Sequence, residues 1–177
     1  MGELVCETAR LEFQPLRPRH AVGLFPALGD PRVSEHLHCE PPGSVELLAE
    51  DFARLASGPS PALSDEAWLN WAVRLKVSGQ WIGRVQATVH HHWAEVAYLF
   101  GPAYWNQGYG AESLAWLHGY LHELHGLSEF WATVSPGNQR SIRLLLRAGY
   151  EAKQQSDARP LGSYDEGDMV FCRVGRT

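Results

Sequence analysis

Gly108 and Gly110 sit where an apolar helical pattern begins, just after a strand-like run at residues 95–100 and a turn opened by Gly101-Pro102. The first turn of a helix carries unpaired N–H groups and a partial positive charge, so it attracts anions. Glycine there lets backbone approach a phosphate with no side chain in the way. A strand aimed at such a loop is a phosphate cradle. Side chains able to move protons stand around it: Glu95 at the start of the strand, the adjacent His90, His91 and His92, and Ser141 one turn beyond Asn138. Carboxylates and imidazoles can accept a proton and a hydroxyl can donate one, the core needs of general acid–base chemistry.

The cradle's glycines do not match two common nucleotide loops. A P-loop would continue with Lys and then Ser or Thr, whereas Ala111-Glu112 follow here. A dinucleotide fold would want a third glycine, where Ser113 stands, and a parallel βαβ unit rather than antiparallel strands upstream. Glu129 lies at the start of the next strand rather than at its end, where a ribose partner belongs. The three histidines lack the spacing of a compact metal site, and no zinc motif stands elsewhere, so no metal is expected. They read either as bases or as a polar turn.

The elements that must position these residues follow from periodicity. Residues 11–16 alternate apolar and polar and end before Pro18, as a first strand does. Residues 20–37 read as two short helices interrupted at Gly29-Asp30-Pro31. Ser44 is placed to cap a helix with Val45, Leu47, Leu48, Phe52 and Leu55 on one face, ended by Gly58-Pro59-Ser60-Pro61. Residues 68–77 and 81–89 form a hairpin about Ser78-Gly79, and a turn near residues 91–93 leads into strand 95–100, giving an antiparallel meander. A helix from residue 108 to about residue 125 stops at Gly126. Residues 130–134 are a short strand, and Asn138 caps a helix carrying Ile142, Leu144, Leu145 and Leu146 up to Gly149. Two strands at 150–154 and 169–174 enclose a polar loop at 156–167. Nothing repeats, and residues 1–177 read as a single α+β domain.

Composition bounds the partners. The 177 residues are 45% hydrophobic and 20% charged, an ordinary globular balance. A net charge of −5 and pI near 6.0 argue against nucleic acid or an anionic membrane as the main partner. Arg140, Arg143 and Arg147 recur at helical spacing and read as a solvated face with one phosphate-facing residue. No run is long and apolar enough for a membrane span, and the N-terminus lacks a signal-peptide layout; Cys6 stands where a myristoylation signal after Gly2 would want Ser or Thr. The scattered Cys6, Cys39 and Cys172 suit a reducing cytoplasm, and none occupies a catalytic motif.

The third phosphate ligand is coenzyme A, and here a family resemblance enters. Trp105-Asn106-Gln107-Gly108-Tyr109-Gly110 is similar to the Q/R-x-x-G-x-G/A coenzyme loop of the GNAT superfamily of acyl-CoA-dependent N-acetyltransferases, with Trp105 in place of Gln or Arg. Glu95-Val96-Ala97-Tyr98-Leu99-Phe100-Gly101-Pro102 resembles that family's fourth strand, and Asn138-Gln139-Arg140-Ser141 leading to Ala148-Gly149-Tyr150 resembles its N-x-x-S…G-[FY] segment. The likeness is close over residues 81–150, and the aromatic at 105 resembles the Rim-type branch that acetylates ribosomal-protein N-termini. It implies a GNAT fold: a mixed, mostly antiparallel sheet of six or seven strands flanked by helices, splayed between strand 95–100 and strand 130–134. It implies acetyl-CoA held by Gln107, Gly108, Tyr109, Gly110 and Ala111, by freed backbone at Leu99 and Phe100, and by Asn138.

Acetyl transfer to an amine needs a proton acceptor, an N–H donor for the thioester oxygen and a proton for the leaving thiolate. The resemblance puts Glu95 forward as the base, acting through water, against a plain reading as a strand residue or salt-bridge partner; Ser141 would protonate the thiolate. With no cysteine in a motif position, direct transfer is expected rather than an acyl-enzyme. The acceptor is then a protein N-terminus or a small-molecule amine, drawn by Asp165, Glu166 and Asp168 unless these are only a solvated loop. Tyr98 and Tyr150 read as core or substrate-wall residues, and Trp68, Trp71, Trp81 and Trp93 as mostly core. A splayed sheet can extend across a second copy, which leaves a homodimer open. A GNAT-fold module that holds acyl-CoA without turnover is the rival.

Overall fold

The computed structural model describes residues 6–60 and 65–175, which leaves Gly2 and Pro61 outside the described residues. Among the described residues, eight strands form one sheet in the order β1-β2-β3-β4-β5-β6-β8-β7. They are β1 (Cys6–Glu7), β2 (Leu11–Pro15), β3 (Ala67–Leu75), β4 (Trp81–Val89), β5 (Ala94–Phe100), β6 (Glu129–Val134), β7 (Glu151–Lys153) and β8 (Met169–Val174). The helices are α1 (Ala21–Leu28), α2 (Pro31–Ser34), α3 (Val45–Ala56), α4 (Tyr109–His125) and α5 (Gln139–Arg147). The sheet exceeds the expected six or seven strands because of β1, whose two residues are too short to show alternation.

Local chemistry places most boundaries. Ser44 accepts a hydrogen bond from Leu47 N at 3.2 Å and starts α3, and the Asn138 side chain accepts from Ser141 N at 3.1 Å and starts α5. Gly126 ends α4 in the left-handed conformation. On α4, Leu114, Leu117 and Leu121 recur on one face and are fully buried, each contributing about 1.5–3 kcal/mol. They pack with Val85, Ala87 and Val96 on one face of the sheet, together with Ile142 and Leu145 of α5. Trp116 stacks on Phe13 at 3.8 Å and meets Trp71 edge-on at 5.2 Å. The opposite face carries α1 and α3 through Leu24, Leu28, Leu48 and Phe52.

The sheet divides in its middle. β5 pairs with β4 along its whole length, and β6 pairs with β8 over six residues. Between β5 and β6, the sheet's parallel pair, contact is limited to Ala94 opposite Phe130 and Glu95 opposite Trp131. From Val96 onward the two strands diverge, which is the splay expected of the fold.

The polar loop after β7 is more anchored than its composition suggests. Ala158, Leu161 and Tyr164 pack on Trp93, Trp131, Val170 and Cys172, and Arg159 forms a two-bond ion pair with Glu129 at 2.7 and 3.0 Å. Burial of the Cys172 thiol in this cluster pushes its pKa up to about 11.

His118 is buried in α4, 2.7 Å from the Tyr150 hydroxyl, and burial reinforced by the Arg173 charge brings its pKa down to about 3. Its folded pKa lies below the usual value of 6.5, so between these limits the unfolded chain binds a proton that the native one does not. Stability should therefore be full above about pH 6.5 and fall as pH drops, with a slope approaching about 1.4 kcal/mol per pH unit. Urea unfolding from pH 7 to 4 checks this. His118→Phe should flatten the slope, and an unchanged slope would assign the acid sensitivity elsewhere.

Candidate active site

The divergence of β5 from β6 opens a cleft of about 610 Å³. Its floor is the unpaired edge of β5 from Val96 to Phe100, and one wall is the loop and first turn of α4. The other walls are α5, the segment after α2 and the loop near Ser163. Leu99, Phe100, Gly108, Tyr109, Gly110, Ala111, Asn138 and Ser141, all expected at the site, line this one cleft.

The cradle has a structural cause for each glycine. Gly108 is the N-cap of α4 with φ 83°, a conformation that side-chain-bearing residues rarely adopt. A Cβ on Gly110 would lie 3.0 Å from Leu144 of α5, so glycine lets the two helices close on the cleft. The loop is braced from outside by Glu112, in the first turn of α4. Its carboxylate accepts from Thr8 Oγ1 at 2.6 Å, Arg10 N at 3.0 Å and Arg10 Nε at 2.6 Å. Arg10 also donates to the Gln107 carbonyl at 3.0 Å and lies over the Tyr109 ring. The Gln107 side chain turns onto its own loop, donating to Ala103 O at 2.6 Å, and does not line the cleft.

Trp105 does more than replace a polar residue. Its indole N–H donates to Phe100 O at 2.7 Å, and the Arg140 guanidinium lies over its ring at 3.6 Å. A cation is thus held where the coenzyme loop lacks Gln or Arg. Arg140, Arg143 and Arg147 all line the cleft, where sequence spacing suggested a solvated face with one phosphate-facing residue. Another part of the lining is acidic: Asp165 and Asp168 contribute to it, and His38 lies 3.7 Å from Asp165.

Ser141 is 2.7 Å from the Tyr98 hydroxyl, and both face the cleft. Burial raises the Tyr98 pKa to about 12 against the opposing Ser141 hydrogen bond, so Tyr98 stays protonated. Glu95 lies elsewhere. It is 7% exposed, absent from the cleft lining, and its carboxylate accepts from Gly162 N at 3.0 Å and Ser163 N at 2.9 Å. The Ser163 hydroxyl also donates to it and sits 2.6 Å from Thr133 Oγ1. Ser163 and Thr133 do line the cleft, and neither carried a sequence signal because their role arises from a loop folding back over the sheet. His90 stacks on Trp93 at 3.8 Å, while His91 and His92 are exposed in the turn; none of the three lines the cleft. Trp71 and Trp93 are core, whereas Trp68 and Trp81 are partly buried.

A profile of the acetyltransferase (GNAT) domain matches residues 10–151. The chain belongs to this family. It is 24% identical over 153 residues to an uncharacterized N-acetyltransferase, YoaA, of Bacillus subtilis (strain 168), covering 83% of this chain and 82% of that protein. Its fold is similar to a GNAT-family acetyltransferase from Bacillus anthracis, with a TM-score of 0.76 at 17% identity, covering 97% and 98% of the two chains. It is also similar to the Salmonella typhimurium acetyl transferase that modifies the N-terminal serine of 50S ribosomal subunit protein L7/L12, with a TM-score of 0.74 at 14% identity, covering 94% and 96%. GNAT membership makes the chain an acetyltransferase with acetyl-CoA as the general donor, and the glycine cradle, splayed edge and arginine wall suit that donor's phosphates and extended arm. Among the described residues no helix is long and apolar enough to cross a membrane.

Gly108→Ala should cost about 1 kcal/mol of stability through its left-handed backbone. Because its Cβ would also point at Arg10 Nη2, 3.2 Å away, coenzyme A affinity should fall by several-fold in calorimetric titration. Unchanged affinity would place phosphate binding away from this turn.

Proposed function

We propose that the protein moves an acetyl group from acetyl-CoA directly to a primary amine, a protein N-terminus or a small-molecule amine. One observation carries this reading most: the Tyr98–Ser141 hydroxyl pair lines the cleft at the edge where β5 leaves β6. The coenzyme, when bound, supplies an activated acyl carbon. The chain supplies the rest.

Tyr98 is protonated at neutral pH, so its hydrogen bond with Ser141 can run with the phenol as donor. That leaves the Ser141 proton free for the cleft, where a departing thiolate would need it. Asn138 fixes Ser141 by accepting from its N–H. Backbone N–H groups on the open edge of β5 are available to polarise an acyl oxygen, the role expected of the Leu99 and Phe100 region. Phe100 O already accepts from Trp105, so its carbonyl is partly occupied.

Glu95 enters this reading as a base at one remove. Its carboxylate is held by the loop, but the Ser163 hydroxyl that donates to it faces the cleft. An acceptor amine can lose its proton to Ser163 Oγ while Ser163 passes its own to Glu95. The same engagement of Glu95 is what favours the rival reading, a domain that binds acyl-CoA without turnover. The ribosomal-protein serine named for the Salmonella neighbour makes a peptide N-terminus one acceptor to include.

Release of coenzyme A thiol from acetyl-CoA, measured across peptide N-termini and small amines, tests the assignment. Turnover with one amine class supports transfer; tight coenzyme binding with no thiol release across the panel would establish the rival. With an active acceptor, Glu95→Gln and Ser163→Ala should each lower kcat by about 100-fold or more and leave the KM for acetyl-CoA near its wild-type value. Ser141→Ala should also act on kcat. Unaltered kcat in Glu95→Gln would remove Glu95 from proton transfer.

A further inference from the structure

Arg84 is a cation the fold has placed at some cost. It lies on β4, partly buried, and burial lowers its pKa against the pull of Asp51. Asp51 is itself paired with Arg54. Among the described residues no carboxylate comes within ion-pair distance of Arg84, and its hydrogen-bond partner is the neutral Gln86 Oε1. A guanidinium has five N–H donors, and a partly desolvated charge without an opposite partner destabilises a fold. The remaining nitrogens of Arg84 are not sealed in the protein, because both Arg84 and Gln86 line the cleft.

Register decides which ligand they meet. Arg84 pairs with Leu99 and Gln86 with Ala97, so these side chains share the sheet face covered by α1 and α3. Tyr98, which binds Ser141, pairs with Val85 on the opposite face, the one covered by α4 and its glycine cradle. Arg84 and Gln86 are therefore one strand away from Leu99 and Ala97 on the stretch of β5 that β6 leaves free, but on the side away from the phosphate cradle. An anion arriving with the other substrate would meet Arg84 there.

We infer that Arg84, with Gln86 beside it, binds a carboxylate carried by the amine acceptor. The planar guanidinium fork matches a carboxylate with two parallel hydrogen bonds, and Gln86, whose oxygen orients the fork, has its amide N–H groups left to donate. The acidic rim at Asp165 and Asp168, on another wall of the cleft, suits the ammonium end of such a molecule. The acceptor class is then an amino acid or a short peptide amine with a nearby carboxylate, rather than a polyamine. This inference rests on the acetyl-transfer reading for its chemistry, but not for its binding.

The test uses matched amines that differ by carboxylate against carboxamide: amino acids and their amides, and peptides with Glu or Gln beside the N-terminal residue. Each is titrated into the enzyme–coenzyme A complex, and KM is measured where turnover occurs. The carboxylate member should bind roughly 10- to 100-fold more tightly. That ratio should collapse toward one in Arg84→Gln and survive in part in Arg84→Lys. Thermal unfolding adds a readout that a structural role would move the other way: Arg84→Gln should unfold at the same or a higher temperature, since it removes an unpaired desolvated charge. No preference in wild type, or a preference intact in Arg84→Gln, overturns the inference, as does a loss confined to coenzyme affinity. Carboxylate-selective binding without thiol release from any amine would uphold Arg84 and overturn acetyl transfer instead.

Discussion

The parting of β5 and β6 is the constraint on which the rest of the structure depends. Two parallel strands that touch at only two residue pairs leave rows of N–H and C=O groups facing an opening rather than each other. The sheet tolerates this because each half is complete without the other. β5 is bonded along its length to β4, and β6 along its length to β8. Twist accumulated in each half then carries the strands apart. The unpaired edge is a standing cost that an extended ligand would relieve, so the defect in the sheet and the candidate site are the same feature.

Two carboxylates keep the opening in shape, and neither touches it. Glu112 ties the first turn of α4 to Thr8 and Arg10, which fixes the glycine cradle against the start of the chain. Glu95, at the last paired position of β5, ties the loop at Gly162 and Ser163 to the sheet. The cleft between these ties is electrically uneven, with arginines of α5 on one wall and Asp165 and Asp168 on another. An anionic coenzyme and a cationic acceptor each meet an opposite charge in that asymmetry.

What the sequence disclosed was what local chemistry fixes. A glycine that opens the helix at Gly108, an asparagine that must cap at Asn138 and strands that must alternate are all written in short windows, and each stands where spacing put it. The Tyr98–Ser141 contact and the Ser163 bridge join residues 43 and 68 positions apart, and the isolation of Arg84 depends on what is not nearby. Periodicity carries no information about such pairs. β1 escaped notice for a different reason, being held by two register pairs with β2 rather than by any pattern of its own.

The same distinction holds for Glu95. Its position on the strand is local, and it does sit at the branch point of the sheet. Its function depends on where its oxygens point, which a loop almost seventy residues later decides. A carboxylate that accepts two backbone N–H groups and a hydroxyl has its lone pairs directed by those donors, so its access to an amine is limited to what Ser163 relays. In the proposed relay, anchoring and proton transfer act through the same bonds. A substitution that keeps the loop in place while removing the negative charge separates them, since the anchor needs an oxygen acceptor and the base needs a charge.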